Sequence, residues 1–353
     1  MYICHFFCTF APEMRINNLN SALLELTNRY EQVCIVGDAA VRRTIPDIPS
    51  LWLETSEQTK TLETVQRIWD FLFEQRFTRH GLLVCIGGGV LTDLGGFAAA
   101  TYKRGIDYIN VPTTLLAMID ASTGGKTGCN YHGLKNSIGV FHTPVDTYIC
   151  ADWLKTLPAH AFLSGYAEML KHAILSDEIE WNRLLQYNLD KMDTEAILPF
   201  IERSIAFKQR IVDADSQEKG RRKILNFGHT FGHAVEEIQM DHGTLPHGYA
   251  VLYGMIAELY LSVTMLDCPK EPLQQLTQLM LHYYGRPVCN CKDRERLIGL
   301  MQQDKKNEHA AEINCTLLKG VNNINGKRTF TPVINQTVTP AQAEEALDYL
   351  FSL

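Results

Sequence analysis

Two short apolar runs, VCIVG at residues 33–37 and LLVCI at 82–86, stand on either side of SEQTKTLETVQRIWDFLFEQR. Each run is rich in aliphatic and β-branched residues and stops at a turn signal, the pattern of a strand buried on both faces in a parallel sheet. Between them Leu62, Val65, Ile68, Trp69 and Leu72 recur at helical spacing. Parallel neighbours need a long crossover, so strand, helix, strand reads as a βαβ unit. After LLVCI comes GGGVLTDLGGFAAATYKRG, a glycine turn opening a helix, and then IDYINVPTT, a further strand broken at Pro112. From about residue 160 strand patterns nearly stop. Helical patterns replace them in SGYAEMLKHAIL, ILPFIERSIAFKQRIVDAD, NFGHTFGHAVEEI and HGYAVLYGMIAELYLSVTML, with a last helix after TP near residue 340. The expected fold is an α/β N-terminal nucleotide-binding domain, Rossmann-like with a mostly parallel sheet, over residues 1–158. An all-α C-terminal domain follows over 159–353, with the boundary at KTLPAHAF.

A chain of 353 residues is long for one core, and two domains imply a cleft. Its 33 Lys and Arg against 40 Asp and Glu, with no basic run or aromatic-basic stripe, point away from a nucleic-acid partner and toward a small substrate. The ten cysteines are scattered without disulfide-scaffold or zinc-ribbon spacing, and read as reduced thiols in a cytoplasmic protein. The opening MYICHFFCTFAP lacks a basic n-region and a cleavage pattern, and is far short of the ~20 residues a membrane span needs. A first strand or a loosely held terminus is expected there, and no membrane partner.

In IGGGVLTD, residues 86–93, glycines let the backbone approach a phosphate while the N–H groups of the following helix favour its charge. The dinucleotide fingerprint GxGxxG is not matched, so taken alone the segment is also a plain tight turn. The stretch VPTTLLAMIDASTGGKTGCNYHGLKNSIG gathers Thr113, Thr114, Asp120, Lys126, Lys135 and Asn136 around two glycine turns. Lysines suit phosphate or carboxylate ligands, and the apolar flanks argue against an ordinary solvated loop.

NFGHTFGHAVEE sets His229 and His233 four apart, on one face of a helix. GYAEMLKH adds Glu168, Lys171 and His172, and LPHGYAV adds His247. A catalytic zinc takes three N or O ligands and keeps an open position, so two of these histidines and a carboxylate suffice. Spacing alone makes His229 and His233 a ligand pair, although the missing glutamate between them argues against a peptidase. Just upstream lie Lys208, Arg222 and Asn226, of which Arg clamps carboxylate or phosphate bidentately. The competing reading is a solvated helix end salt-bridged to Asp213, Asp215 and Glu218, and it is accepted for Lys219 and Arg221. His80, His142, His160, His242, His282 and His309 lack such company and read as surface or core residues.

Taken together, GGGVLTDLGGF, YKRG, PTTLLAMIDASTGGKTG, LKNSIGVFH, SGYAEMLKHA, LNFGHTFGHA and HGYAVLYGM resemble the 3-dehydroquinate synthase family of sugar phosphate cyclases. They run in the family's order over roughly residues 55–260, and QQDKKN extends the match. The resemblance implies a cytoplasmic, NAD- and divalent-metal-dependent lyase, using zinc or cobalt, that converts 3-deoxy-D-arabino-heptulosonate 7-phosphate to 3-dehydroquinate and phosphate. That reaction belongs to the shikimate pathway. It assigns Glu168, His229 and His247 to the metal, and His233 to proton transfer beside it. Lys171, Lys208, Arg222 and Asn226 would hold substrate oxygens, with Asp120 in the same catalytic set. Lys126, Asn136 and one of Lys305 and Lys306 would cradle the phosphate. For NAD the matched positions are Asp38, Glu57, Lys60, Gly89, Val90, Asp93, Thr113, Thr114, Lys126, Lys135, Trp153 and Thr156. Arg104 would reach the site of a partner subunit in a homodimer.

The implied chemistry accounts for this inventory. The carbon next to the phosphate ester carries a hydrogen that is not acidic, and oxidising the neighbouring hydroxyl to a ketone makes it so. NAD then serves as a temporary hydride store, returned before ring opening and an intramolecular aldol. Two departures stand out: Tyr249 follows His247 and Gly248 where the family commonly has glutamate, and NYHGLKN replaces NHPLGKN. The expected first hairpin is also not evident. Tyrosine at 249 withdraws a carboxylate from beside His247. The alternatives are a sister cyclase acting on another sugar phosphate, a metal-dependent polyol or alcohol dehydrogenase of related fold, and a catalytically inert NAD-binding protein.

Overall fold

The computed structural model describes residues 14–15, 18–43, 45–239, 245–288, 291–303, 312–324 and 327–353. Two compact units emerge, one of residues up to Thr113 with Ala121–Trp153, the other of Thr114–Asp120 with Leu154–Leu353. Where a single cut at 158/159 was expected, the division falls at Trp153 and hands a short inner segment to the second unit.

The first unit holds strands β1 (Met14–Arg15), β2 (Val33–Asp38), β3 (Ser50–Leu53), β4 (Leu82–Gly87), β5 (Asp107–Pro112), β6 (Lys126–Tyr131), β7 (Leu134–Phe141) and β8 (Asp146–Ile149). Its helices are α1 (Leu19–Arg29), α2 (Leu62–Glu74) and α3 (Gly89–Thr101). The main sheet is six-stranded in the order β1-β8-β5-β4-β2-β3, and every pairing is parallel. VCIVG and LLVCI are its adjacent strands β2 and β4, buried throughout their apolar residues. Leu62 excepted, the expected stripe of α2 faces the core, with Val65, Ile68 and Leu72 inaccessible among Leu83, Cys85, Leu94 and Phe97. Burial of each such side chain contributes roughly 1.5–3 kcal/mol.

Two hairpins depart from the sequence reading. The polar stretch after Pro112 folds partly as the antiparallel pair β6–β7. In the second unit the all-α expectation is corrected by β9 (Ile313–Ile324) and β10 (Lys327–Val338), a long antiparallel hairpin. Side-chain packing rather than period explains it: Ile313, Cys315, Leu317 and Leu318 are buried, and Thr230 and Lys223 meet this hairpin through hydrogen bonds. Otherwise the unit is helical, with α4 (Ala159–Ser176), α5 (Glu178–Leu185), α6 (Thr194–Ala214), α7 (His229–Gln239), α8 (His247–Leu266), α9 (Glu271–Leu279), α10 (Cys291–Gln302) and α11 (Pro340–Ser352). Helix α8 is apolar and long enough to cross a membrane by composition, yet 67% of that window is buried inside the fold, as in a core helix. The opening dozen residues, Lys305, Lys306, His242 and His309 lie outside the described residues.

Candidate functional site: two polar clusters

In the first unit β2 leads outward to β3 while β4 leads the other way to β5, so the chain reverses direction in the sheet between β2 and β4. Ligands of open α/β sheets bind beyond the carboxyl ends of strands at such a point. Asp38 ends β2 and the glycines 87–89 end β4. Asp38 accepts the Ala40 N–H at 2.9 Å and the Thr55 hydroxyl. Gly89 and Val90 open α3, whose cap, Gly88, supplies no side chain to the first-turn N–H groups. A Cβ on Gly95 would lie 2.3 Å from Cys85 Sγ, so its absence lets α3 sit tightly on β4.

A closed polar network lies in the same unit. Lys60, 4% exposed, donates to Asp93 Oδ2 at 2.6 Å and to Asn136 Oδ1 at 2.5 Å. Asn130, which sequence reasoning missed, donates to Glu57 Oε1 at 2.7 Å and accepts the Asn136 N–H at 2.8 Å. Asn136, expected with Lys126 at a phosphate, is thus joined to Glu57, Lys60 and Asp93 of the nucleotide set. Lys126 opens β6 and is exposed, while Lys135 lies in β7. Thr113 is buried, its N–H donating to the Gly87 carbonyl at 2.9 Å. Trp153 is buried beneath the Arg43 guanidinium, 3.6 Å from the ring centroid, and Thr156 ends the same short turn in sequence. Arg104 is exposed in a turn where Lys103, Arg104 and Gly105 have φ of 48°, 67° and 109°. Two non-glycine residues in succession there store backbone strain.

The second cluster is built from five elements of the second unit. Glu168, Lys171 and His172 lie on one buried turn of α4, and Ser204 and Lys208 on the buried face of α6. His229 and His233 lie on α7, and His247 begins α8. Asp120 is in the π-helical turn Ala117–Ala121, which Thr114 opens by accepting the Ala117 N–H at 3.2 Å. Glycine fixes how closely the helices approach: a Cβ on Gly248 would lie 1.9 Å from the Ser164 carbonyl oxygen of α4. One on Gly254 would lie 1.9 Å from the Gly228 carbonyl oxygen at the start of α7. Backbone contact therefore brings α8 against both helices that carry the other candidate ligands.

Glu168 Oε1 lies 3.6 Å from His229 Nε2 and 3.6 Å from His247 Nε2. A four-coordinate zinc with bonds near 2.0–2.1 Å separates its ligand atoms by roughly 3.4 Å, so this spacing fits. Glu168 is inaccessible, and neither oxygen has a well-directed hydrogen bond among the described residues, although Lys171 Nζ is 2.5 Å from Oε2. A buried carboxylate facing two imidazole nitrogens is a donor set that could hold a divalent cation. His229, His233 and His247 also bring one nitrogen each within 4.8 Å of one another, so His233 is beside the same point, on its exposed side. The other ring nitrogens are directed too: His229 Nδ1 faces the Phe227 carbonyl at 3.1 Å, and His247 Nδ1 faces Glu236 Oε2 at 3.1 Å. Glu236 was not singled out from sequence, though it is three residues past His233 on the same face.

Around this set lies a field of buried charge. Lys208 Nζ is 2.7 Å from Asp120 Oδ1 and also donates to the Asp120 carbonyl. Burial works to raise the Asp120 carboxyl, but Lys208, Lys171 and His172 outweigh it and hold the group below its ordinary value. Burial likewise opposes ionisation of Glu168, and Lys171 with the two histidines keeps it well below the carboxylate range. His172 is pushed down to about 3, first by burial and then by Lys171, so its ring is neutral. Its Nδ1 meets Ser204 Oγ at 2.6 Å and its Nε2 faces Asp120 Oδ1 at 3.7 Å. Burial also lowers Lys208 and Arg222, with Asp120 opposing it in each. Arg222 is buried and donates to the Ser216 carbonyl at 2.9 Å, while Asn226 donates to Glu218 at 3.1 Å. Asp215 accepts the backbone N–H groups of Lys219, Gly220 and Arg222, the local closure expected of a helix end.

A second residue missed by sequence, Glu258 of α8, is fully buried and accepts the N–H groups of Gly228 at 2.7 Å and Thr230 at 3.3 Å. It caps α7 from a neighbouring helix where the local sequence has no acid.

Residues 50–164 match the family profile described as 3-dehydroquinate synthase N-terminal, and residues 165–307 the one described as 3-dehydroquinate synthase C-terminal. A curated 3-dehydroquinate synthase of Parabacteroides distasonis is 40% identical over 332 residues, 91% of this chain and 92% of the relative. Among solved structures, 2-epi-5-epi-valiolone synthase from Streptomyces hygroscopicus, with NAD+ and Zn2+ bound, superimposes with a TM-score of 0.75 at 27% identity, covering 96% of this chain and 95% of that one. The fold is likewise that of 2-deoxy-scyllo-inosose synthase in complex with carbaglucose-6-phosphate, NAD+ and Co2+. There the TM-score is 0.77 at 23% identity, over 94% of this chain and 95% of that one. On these matches the chain belongs to the 3-dehydroquinate synthase family, enzymes of the sugar phosphate cyclase class.

Proposed function

We propose that this protein is a 3-dehydroquinate synthase, a carbon–oxygen lyase that converts 3-deoxy-D-arabino-heptulosonate 7-phosphate to 3-dehydroquinate and phosphate in the shikimate pathway. The observation that carries the reading is the buried Glu168 oxygen 3.6 Å from two imidazole nitrogens, set among ammonium groups. Glu168, His229 and His247 hold a divalent cation, zinc or cobalt, and the turn from β4 into α3 holds the NAD pyrophosphate. When bound, the cation polarises the reacting hydroxyl and NAD stores its hydride until phosphate has left.

The side chains of the second unit do the rest. Lys171 pairs with Glu168 and Lys208 with Asp120, while Arg222 is opposed by Glu218, Asp120 and Asp215. A substrate bearing a carboxylate and a phosphate offers these buried cations anionic partners. His233, on the open side of the imidazole trio, moves the proton at the substrate hydroxyl. Asp120, held ionised by Lys208, accepts a hydrogen bond from a neighbouring hydroxyl. Once that hydroxyl has become a ketone the adjacent C–H is acidic, so positioning replaces a strong dedicated base and the leaving phosphate takes the proton. Lys126 and Asn136 assist the phosphate, and Asp38, Glu57, Lys60, Asp93, Thr113, Thr114, Lys135, Trp153 and Thr156 serve the nucleotide. We further place the protein in the cytoplasm as a homodimer, with Arg104 serving a neighbouring subunit. Its exposed position in a strained turn and the exposed Tyr131, Leu134, Val140 and Phe141 of the β6–β7 hairpin support that assembly.

Phosphate release from the heptulosonate phosphate with catalytic NAD, with and without chelator, tests the reading. Chelator-sensitive release without net NADH supports it, and stoichiometric NADH accumulation supports a dehydrogenase instead. Release only from a different sugar phosphate would identify a sister cyclase. His233→Ala is expected to keep the metal and lose turnover, and metal loss equal to that of His229→Ala would refute the division of labour.

A further inference from the structure

His247, the proposed ligand that begins α8, can present Nε2 to a cation only if its other ring nitrogen is held. The residue two positions on, Tyr249, offers no carboxylate: its ring packs edge-on against Tyr284, with centroids 4.7 Å apart. An acid arrives instead from α7. His229, His233 and Glu236 fall at positions i, i+4 and i+7, one face of that helix. Glu236 Oε2 ends 3.1 Å from His247 Nδ1, and its side chain is only 12% exposed, so water screens its charge poorly. We propose that Glu236 is the positioning residue of the metal centre, fixing the tautomer and direction of His247 in the role that position 249 cannot fill. The inference rests on the metal reading above.

The argument is one of donors and acceptors. A carboxylate only accepts, so a neutral imidazole facing Glu236 must carry its proton on Nδ1. The lone pair is then on Nε2, the nitrogen 3.6 Å from Glu168 Oε1. His229 is fixed in the same sense by the Phe227 carbonyl, so both rings present Nε2 to one point. The two supports differ in charge: a carbonyl orients its ring, whereas a carboxylate also makes the imidazole a stronger donor to a cation. The helix that provides one ligand thereby also aims the ligand on its neighbour.

The test measures Zn2+ and Co2+ affinity of the full-length protein by competition with a chromogenic chelator, for Glu236→Gln and Glu236→Ala, each also in a His247→Ala background. Removing such a partner typically weakens binding about 10–100-fold. Glu236→Ala is expected in that range, with Glu236→Gln intermediate because its amide oxygen still accepts from Nδ1. In the His247→Ala background neither change should weaken binding further, since the effect runs through that ring. Affinity equal to the unaltered protein, or the same loss with His247 already gone, overturns the proposal. Should Glu236→Ala fail to fold, Glu236→Gln decides alone by its chelator competition and cobalt absorption spectrum. If Glu168→Ala and His229→Ala also bind as tightly as the unaltered protein, the metal reading itself falls and the inference with it. Loss in those two with none at Glu236 rejects the inference alone.

Discussion

In the first unit Glu57, Lys60, Asp93, Asn130 and Asn136 complete one another's hydrogen bonds, whereas in the second Glu168 and His172 Nε2 are buried without a well-directed hydrogen bond among the described residues. A buried polar group costs stability unless paired. The first network is therefore complete as structure, while in the second Glu168 has Lys171 as its ion-pair partner and, on the proposed reading, a metal ion as its remaining one. On that reading the second cluster gives up local stability for function, and the first does not.

The contrast breaks or holds on three substitutions. The largest effect is expected from His229→Asn, which removes a proposed ligand on the unfinished side. Turnover should fall on the order of a thousandfold, several kcal/mol of transition-state stabilisation, while the metal-free protein melts within a few degrees of the unaltered one. A large fall in the melting temperature of the metal-free form would show that this cluster is structural after all. Lys60→Met probes the finished side: it removes the ammonium that Asp93 and Asn136 share and should cost on the order of 1–3 kcal/mol in urea unfolding, with metal affinity unchanged. Unchanged stability would remove the distinction between the clusters. The smallest effect concerns His172. If Ser204 Oγ donates to Nδ1, the neutral ring keeps its proton on Nε2, facing Asp120. Ser204→Ala should then lower kcat by about 1 kcal/mol equivalent, with less effect on KM, and a KM effect alone would argue that His172 does not orient Asp120.

Much of the first unit was legible because burial on both faces leaves uninterrupted aliphatic runs: β2, β4 and the stripe of α2 are readable from residue order alone. Strand β3 was not, since SLWL is four residues long and mostly half-buried. The β9–β10 hairpin escaped because its pattern mixes buried and exposed positions and is interrupted by register shifts after Phe330 and Val333. The histidines of α7 were visible as a pair, but spacing along one helix cannot say which partner from another helix completes a site. It was the resemblance that named Glu168 and His247. Glu236 was readable in principle as the third member of the i, i+4, i+7 face, but residue order along one helix does not say that it meets His247 on the next. Glu258 gave no local signal: it stands in an apolar run, and its purpose lies at the start of a helix that precedes it by thirty residues in hydrogen-bond partner separation.

The glycines at 248 and 254 carry a consequence for how far the helices around the histidines can move. They put main chain against main chain, where no rotamer can shift to make room. Helices α4, α7 and α8 are thus spaced by contacts that do not compress. A Cβ at either position would have to push main chain apart, so the distances between the helices that carry Glu168, His229 and His247 are set through side chains that are missing.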